Sequence, residues 1–378
     1  MNDTKKRVLQ ILGDPTGGIR NHVHEIIKSN RKFGVEIHYI HGETLDSNGN
    51  VDIDGFDLMG LNRVQYYISK KPHLSDIYNI ISVFKYCRYH GIDAIHGHGA
   101  KGGIYSRITA FLLGIPSIYT PHGGSIHANF GILEGFIYRL VERLFKSLTR
   151  LYLFESSYSY QSFVNSCGPL RSGRYLINHN GVDANVFVAK RNWSTGMDDT
   201  VNILVAGVLR EAKGQAIAIE ALRKLNICSE TKFHLHFCGG GPDRDKLISL
   251  IEGYSLIDNV TFHGDVKDIL PFYESCNIVV IPSLFESFGY VAVEAALMRR
   301  PVIASNCGGL PEIIQNNKTG LLFEMGNAAT LADKILEIVE DINKTNVIVT
   351  TANSYSKKNF CSKNMLENIY SAYCQIMQ

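Results

Sequence analysis

Short apolar segments alternate with longer amphipathic segments along the whole chain. In the first half, six segments predict strands: 7–12, 35–41, 94–96, 117–119, 151–154 and 175–177. In the second half, six more predict strands: 201–206, 233–238, 260–262, 278–281, 302–304 and 320–323. Because strands that alternate with helices form parallel sheets covered on both faces, the pattern predicts an α/β fold with two doubly wound parallel sheets.

The length and one polar stretch predict two domains. A chain of 378 residues exceeds the size of one ordinary core. The polar stretch 189–200 is a suitable linker, which gives domains 1–190 and 191–359. The last run, 363–377, has apolar residues at helical spacing and predicts a terminal helix.

The composition is typical of a globular protein, with 45% apolar and 20% charged residues. No apolar run approaches the ~20 residues of a membrane-spanning helix. The first apolar segment stops at Gly13, too soon for a secretory signal, and predicts a first strand instead. The eight cysteines are scattered and form no C-x-x-C pair, so we expect neither a zinc site nor disulfides, and a reducing cytoplasm.

Charge is unevenly distributed along the chain. Residues 1–190 carry 21 Lys and Arg against 15 Asp and Glu, whereas the remainder carries 17 against 21. A basic first half and an acidic second half indicate an anionic partner for the first half. A chance distribution is the alternative.

The segment 282–294 contains the most informative pattern. A predicted buried strand precedes it, Glu286 lies in the following loop, and Gly289 stands just before a helix-like run that contains Glu294. A strand, a tight turn and an exposed helix start form a ready site for phosphate. Since ionised carboxylates accept hydrogen bonds and sugars offer donors, the layout predicts binding of a nucleotide-sugar.

This segment resembles the E-x7-E signature of retaining glycosyltransferases of family 4, which have the GT-B fold. The resemblance continues through 300–314 and 319–323 and covers most of the chain, more loosely in the first half. The alternative is a pair of solvated glutamates on a helix face. The resemblance implies two Rossmann-like domains that face each other across a cleft, the first on the acceptor side and the second binding the donor. It also implies that a helix at about 360–378 packs back on the first domain.

The resemblance assigns donor-binding roles around the two glutamates. Glu286 would contact donor-sugar hydroxyls, and Glu294 the ribose hydroxyls. The backbone N–H groups of Phe288 and Gly289, next to Ser287, would reach the donor sugar and its diphosphate.

A second loop, 205–214, resembles the family motif G-R-L-x-x-x-K-G. Lys213 occupies the lysine position, but Val208 occupies the usual arginine position. Arg210, two residues further on, is a candidate replacement that would hold the diphosphate with Lys213. Gly264 follows another strand, where relatives place the nucleotide base.

Three segments of the first half contain further candidate site residues. Gly17 and Gly18 resemble the family glycine loop; a tight turn without a ligand is the alternative. His122 resembles the family histidine near the reacting carbon, so the predicted catalytic residues are His122, Glu286 and Lys213; a structural histidine is the alternative. His98 is a candidate for the acceptor side.

The run 136–150 predicts a helix with a basic stripe that contains Arg139, Arg143 and Lys146 beside a broad apolar face. Two interpretations remain open. The helix packs into a core with a solvated basic edge, or the stripe meets anionic lipid or a pyrophosphate-linked acceptor.

We therefore expect a metal-independent, retaining glycosyltransferase that moves a hexose-type sugar from a nucleoside-diphosphate sugar to an acceptor hydroxyl. By analogy, the acceptor is a lipid-linked glycan of surface polysaccharide or lipopolysaccharide assembly, at the inner face of the cytoplasmic membrane. No cofactor is expected, and no metal, because His98 has no carboxylate or cysteine at ligand spacing and the Asp-x-Asp runs at 52–54 and 243–245 look accidental. The alternatives are a GT-B sugar-nucleotide epimerase or phosphorylase, or a non-catalytic module that binds carbohydrate or a partner.

Overall fold

The computed structural model describes residues 5–13, 17–30, 32–42, 63–66, 68, 73–122, 132–190, 193 and 200–378. The chain divides into two compact units. The first contains Met1–Asn180 and Ser362–Gln378, and the second contains Gly181–Cys361. Each unit is built on a parallel sheet with helices, so the predicted α/β class is confirmed.

The first unit has a seven-stranded sheet in the order β3-β2-β1-β4-β5-β6-β7, and every described pair is parallel. Its strands are β1 Lys6–Leu12, β2 Val35–Gly42, β3 Arg63–Tyr66, β4 Ala94–His98, β5 Ser117–Thr120, β6 Leu151–Phe154 and β7 Tyr175–Ile177. Its helices include α1 Gly17–Lys28, α2 Ser75–His90, α3 Gly99–Leu113, α4 Ile132–Phe145 and α5 Ser157–Cys167. Strand β1 is buried on both faces, as a central strand of a parallel sheet must be.

The second unit has a six-stranded parallel sheet in the order β10-β9-β8-β11-β12-β13. Its strands are β8 Thr200–Ala206, β9 Lys232–Cys238, β10 Val260–Gly264, β11 Ile278–Ile281, β12 Val302–Ser305 and β13 Leu321–Phe323. Its helices are α6 Gln215–Cys228, α7 Arg244–Gly253, α8 Leu270–Ser275, α9 Tyr290–Leu297, α10 Leu310–Ile313, α11 Ala328–Glu340 and α12 Ile342–Asn359. The pattern predicted twelve of these thirteen strands and missed β3.

The division between the units falls at Asn180, ten residues before the boundary that the polar linker suggested. Val182 donates its N–H to the carbonyl of Phe360 at 2.9 Å and forms a bridge with Cys361. Phe187 packs against an apolar cluster of the second unit, and Trp193 is buried in another. Residues 181–190 therefore belong to the second unit because their contacts lie there.

The last helix, α13 Ser362–Ile376, belongs to the first unit. Its apolar face joins the core formed by β1, β2 and α1, with Met365, Ile369 and Tyr373 all buried. The Tyr373 hydroxyl also meets Gln10 of β1 and His96 of β4, at 3.0 and 2.7 Å. The chain thus returns at its end to complete the core of the first unit.

Among the described helices, none combines the length and the apolar character that crossing a membrane requires.

We predict that Ile369→Ala lowers the free energy of unfolding by about 2–5 kcal/mol, because it opens a cavity at a fully buried position of the first core. Glu367→Ala, on the exposed side of the same helix, is the matched control and should change stability by under ~0.5 kcal/mol. Urea denaturation followed by circular dichroism measures both. Equal midpoints for the two variants would contradict the packing of α13.

Candidate active site

Three loops of the second unit meet at one edge of its sheet. They follow the adjacent strands β8, β11 and β12, and parallel strands place their carboxyl ends together. Leu284 donates its N–H to the carbonyl of Ala212 at 2.9 Å, and Gly309 donates to the carbonyl of Glu286 at 2.9 Å. Backbone hydrogen bonds therefore fix the relative positions of the loops that carry the predicted site residues.

Lys213 and Glu286 form an ion pair at this edge. Lys213 Nζ lies 2.5 Å from Glu286 Oε2, and the two side chains remain 32% and 17% exposed. Lys213 ends the 3₁₀ turn Glu211–Lys213 after β8, whereas Glu286 lies in the loop after β11. Since partly exposed pairs contribute only about 0–1 kcal/mol, a phosphate can replace the carboxylate as the partner of Lys213 at little cost.

Two glycines permit this close approach of loops. Gly214 has φ of +68°, and a Cβ there would collide with the carbonyl oxygen of Pro282. Gly308 has φ of +58°, and a Cβ there would collide with the carbonyl oxygen of Glu286. Both positions demand glycine for conformation and for space, which explains the K-G and G-G pairs in the motifs.

Glu294 lies one turn inside α9 and accepts a hydrogen bond from the Tyr273 hydroxyl at 2.8 Å. Burial raises the pKa of Glu294 to about 6, and the bond from Tyr273 opposes that rise only in part. The carboxyl is therefore neutral in mild acid and ionised above about pH 6. As an ionised acceptor it suits hydroxyl groups of a ligand.

Helix α9 follows Gly289, which has φ of 112° and gives no side-chain cap. The positive end of the helix dipole therefore lies at this loop, where it favours an anion. Phe288 is 2% exposed, so its ring belongs to the core and only its backbone can serve a ligand. Ser287 precedes it, and its carbonyl lies against Gly309.

Arg210 is exposed, and within the described part of the chain its side chain has neither a hydrogen bond nor an ion pair. It is free to turn toward a diphosphate.

Val208, at the usual arginine position, is 37% exposed, and its carbonyl accepts a bond from Gln215. Gly264 ends β10 at the same edge of the sheet, and its carbonyl accepts from the N–H of Gly239 at 2.7 Å.

The first unit also concentrates polar side chains at the carboxyl edge of its sheet. His98 ends β4, His122 follows β5 and Glu155 follows β6. His98 Nδ1 lies 3.1 Å from His122 Nε2, and His122 Nδ1 lies 2.8 Å from Glu155 Oε2. The two predicted histidines are therefore in direct contact, and a carboxylate holds one of them.

Two residues that the sequence did not indicate complete this group. His22 of α1 places Nδ1 2.7 Å from Asn180 Oδ1, and Asn180 Nδ2 donates to Glu155 Oε2 at 3.2 Å. The rings of His22 and His122 lie 5.1 Å apart. The position of Glu155 directly after a strand is a sequence signal that could have identified it. His22 and Asn180 are 158 residues apart, so no local sequence pattern indicates that they meet.

Burial controls the protonation of these groups. It lowers the pKa of His22 to about 3, with the charge of His122 adding to the effect, and it lowers the pKa of His98 well below its ordinary value. Burial pushes the pKa of Glu155 upward, but the charge of His122 and its hydrogen bond outweigh this, so the pKa of Glu155 lies below normal. Glu155 is thus an ionised acceptor at neutral pH.

The backbone of His122 adopts φ of 50°. A left-handed conformation costs a non-glycine residue roughly 1–2 kcal/mol. Such strain concentrates at functional sites. The conformation therefore supports a role for His122 beyond packing.

The other candidates are placed as follows. Gly17 and Gly18 begin α1, and Gly17 has φ of +59° with open space around its Cβ position. The run 52–54 lies outside the described residues. Asp243 of the second Asp-x-Asp run pairs with Lys246 at 3.2 Å. Among the described residues, the group that combines ligands at metal-binding distance is His22, His98 and His122.

Helix α4 departs from the core-packed interpretation, because four of its apolar side chains are largely exposed. Phe136, Ile137, Leu140 and Leu144 are 45–64% exposed. The basic stripe is also not wholly solvated. Arg143 donates to the carbonyl of Ser166 at 2.9 Å, and Lys146 donates to the carbonyls of Cys167 and Pro169 at 3.2 and 2.9 Å. These two cations cap the carboxyl end of α5, whereas Arg139 is not committed in this way.

Comparison with known proteins identifies the families that the two halves of the chain match. Residues 16–186 match the family model Glycosyltransferase Family 4, and residues 190–354 match Glycosyl transferases group 1. The chain is 26% identical over 355 residues to an uncharacterized glycosyltransferase of Methanocaldococcus jannaschii, with 90% of each chain covered. It is 32% identical over 210 residues to a GDP-mannose-dependent phosphatidylinositol monomannoside mannosyltransferase of Mycobacterium tuberculosis, covering 51% of this chain and 53% of that one.

Among solved structures, the chain resembles Anabaena HepE in complex with UDP-glucose. The TM-score is 0.80 at 22% identity, and 98% of this chain and 99% of that one are covered. This likeness bears on the fold alone.

We predict that Glu294→Gln changes the pH dependence of stability. The pKa of the native carboxyl is raised, so its stabilising contribution is complete below its ordinary pKa of 4.5 and is lost as pH rises through about 6. Relative to wild type, the variant should therefore gain on the order of 2 kcal/mol between pH 4.5 and 7. Urea denaturation at both pH values measures the difference. A difference between the two proteins that does not change with pH would show that Glu294 has an ordinary pKa.

Proposed function

We propose that this chain, which is a family 4 glycosyltransferase with the GT-B fold, transfers a hexose-type sugar from a nucleoside-diphosphate sugar to an acceptor hydroxyl with retention of configuration. The observation that carries the proposal is the Lys213–Glu286 pair beside the start of α9 at the carboxyl edge of the second sheet. It supplies a cation and a helix N-terminus for phosphate, and a carboxylate for sugar hydroxyls, within one set of loops.

Each group has a defined task in this reaction. Negative charge builds on the diphosphate as the bond to the sugar breaks, and Lys213 with the N–H groups of α9 stabilises that charge. When Lys213 turns to the phosphates, Glu286 is released to accept from sugar hydroxyls. Glu294 holds the ribose, Arg210 supplies a second cation, and Gly264 lies beside the base.

Retention needs no protein nucleophile in this scheme. The acceptor oxygen attacks the anomeric carbon on the face that the diphosphate leaves, and the departing phosphate oxygen takes the acceptor proton. His122 contacts the donor sugar near the reacting carbon, and His98 serves the acceptor. Neither a metal ion nor another cofactor takes part in the transfer.

The proposal does not specify the nucleotide base of the donor. HepE of Anabaena is solved with UDP-glucose, whereas the mycobacterial mannosyltransferase depends on GDP-mannose. A thermal-shift screen of UDP-, GDP-, ADP- and dTDP-sugars identifies the donor, because a ligand at 100 times its Kd adds about 2.7 kcal/mol of stability.

With that donor, we predict that Lys213→Ala lowers the rate of sugar transfer by about 10²–10³-fold, since it removes the main cation at the leaving group. Glu286→Ala should also abolish most transfer and most hydrolysis of the donor. Lys224→Ala, an exposed lysine on α6 of the same unit, is the matched control and should retain wild-type rates. The assay follows release of the nucleoside diphosphate.

Three outcomes would replace the proposal with an alternative. Release of sugar phosphate in the presence of inorganic phosphate indicates a phosphorylase. Conversion of the nucleotide-sugar to its epimer indicates an epimerase. Donor binding without turnover, unchanged in Lys213→Ala, indicates a non-catalytic binding module.

For the acceptor, we propose a lipid-linked glycan of surface polysaccharide or lipopolysaccharide assembly, reached by peripheral contact of α4 with the inner face of the cytoplasmic membrane. The exposed Phe136, Leu140 and Leu144 are spaced one turn apart and offer an apolar face to the acyl boundary. Arg139 on the same helix and the excess of Lys and Arg over residues 1–190 favour anionic lipid.

We predict that Leu144→Ser and Arg139→Glu each reduce co-sedimentation with phosphatidylglycerol vesicles several-fold. The first removes apolar area and the second reverses a charge that has no capping role. Leu112→Ser, at a similarly exposed leucine of α3, is the control and should bind as wild type does. Equal binding of all four proteins, or equal binding to phosphatidylcholine vesicles, would remove the membrane proposal.

A further inference from the structure

Three histidines of the first unit bring one ring nitrogen each close to the other two. One nitrogen of His22, one of His98 and one of His122 lie within 4.8 Å of one another. All three side chains are buried, with His22 at 2% and His98 at 1% exposure. They come from α1, β4 and the segment after β5, which are separate elements of the unit.

The hydrogen bonds of Asn180 fix the free nitrogen of His22. The Asn180 amide nitrogen donates to Glu155, whose carboxylate can only accept, so the orientation of the amide is determined. Its Oδ1 therefore faces His22 Nδ1, which must carry the proton. The lone pair of His22 is then on Nε2, which is buried and has no hydrogen-bond partner among the described residues.

The other two histidines are held in the same way. His122 Nδ1 donates to Glu155, which leaves Nε2 on the side of His98, 3.1 Å from its Nδ1. His98 Nε2 lies 2.9 Å from Gln10 Oε1, and Gln10 donates its own N–H to the Tyr373 hydroxyl. In each ring, the nitrogen that points away from the other two histidines thus contacts an oxygen acceptor, as in the histidine ligands of metal sites.

The contact between His98 and His122 has the spacing of two ligands of a tetrahedral ion. Two nitrogens bound to Zn²⁺ at ~2.0–2.1 Å stand roughly 3.3 Å apart. His98 Nδ1 and His122 Nε2 are 3.1 Å apart. Without an ion, this contact between two ring nitrogens requires a proton between them, because each ring already donates its other N–H to an oxygen. A bound cation takes the place of this proton. The ionised Glu155 balances its charge.

We propose that His22, His98 and His122 form a binding site for a divalent transition-metal ion, with Zn²⁺ as its best-fitting occupant. Three neutral imidazoles leave the fourth position of a tetrahedral ion open. Imidazole donors favour Zn²⁺, Cu²⁺ and Ni²⁺ over Mg²⁺ or Ca²⁺, which prefer oxygen ligands.

One consequence rests on the proposed function. If His122 contacts the donor sugar, an ion bound to His122 Nε2 removes that contact. The transfer reaction, which needs no metal, is then inhibited by micromolar Zn²⁺ and restored by a chelator. The metal site itself does not depend on this role of His122.

A second histidine group provides the matched control. His236 Nδ1 and His263 Nε2 in the second unit are also 3.1 Å apart. The other nitrogen of His236 is bonded to Asn202, and the neighbouring His234 directs Nε2 to Thr261. The described residues bring no third nitrogen to this pair, so the same histidine contact exists there without a three-ligand set.

The test is calorimetric titration of ZnCl₂ into the full-length protein without an affinity tag, and absorption spectroscopy of the Co²⁺ form. We expect one ion per chain for wild type and for His263→Ala, with a tetrahedral Co²⁺ spectrum. His22→Gln and His98→Gln, checked for folding by circular dichroism, should bind at least tenfold more weakly.

Absence of stoichiometric binding to wild type overturns the proposal, as does wild-type affinity in a folded His22→Gln variant. Inhibition of transfer is measured separately. If Zn²⁺ binds through these histidines and transfer continues at the same rate, the metal site stands and the assigned role of His122 is wrong.

Discussion

Parallel strands deliver their carboxyl ends to one edge of a sheet, and this constraint produces both polar sites of the molecule. In the second unit it joins loops that follow β8, β11 and β12, which places Lys213 2.5 Å from Glu286 across 73 residues of chain. In the first unit it joins His98, His122 and Glu155 at the ends of β4, β5 and β6. Without the parallel order of both sheets, neither group of side chains would meet.

The two sites are stabilised in different ways. The pair in the second unit is partly exposed, so its partners exchange at small cost when a charged ligand arrives. The group in the first unit is buried and linked by a continuous set of hydrogen bonds. Because removing one member of such a buried network leaves another unsatisfied, its geometry is rigid. One unit offers an adaptable charged surface, and the other offers side chains in fixed orientations.

Much of the fold and of the candidate site could be predicted from the sequence, because the signals are local. Each strand is a local apolar pattern, and β6, β7 and β11 were predicted to the residue. Glu286 and Lys213 lie in the loops that follow β11 and β8, so local pattern and motif locate them. What the sequence could not supply depends on distant partners. The boundary at Asn180 reflects pairing of Val182 with residues 360–361, the exposure of α4 depends on what surrounds it, and His22 becomes meaningful only through Asn180.

The central claim is that a nucleoside-diphosphate sugar binds at the carboxyl edge of the second sheet. A crystal structure of the protein with the best-stabilising donor tests it most directly. The account predicts that Lys213 Nζ leaves Glu286 and contacts the diphosphate, that Glu294 accepts from the ribose hydroxyls, and that the start of α9 faces the phosphates. Donor density elsewhere on the molecule, with the Lys213–Glu286 pair intact, would contradict it.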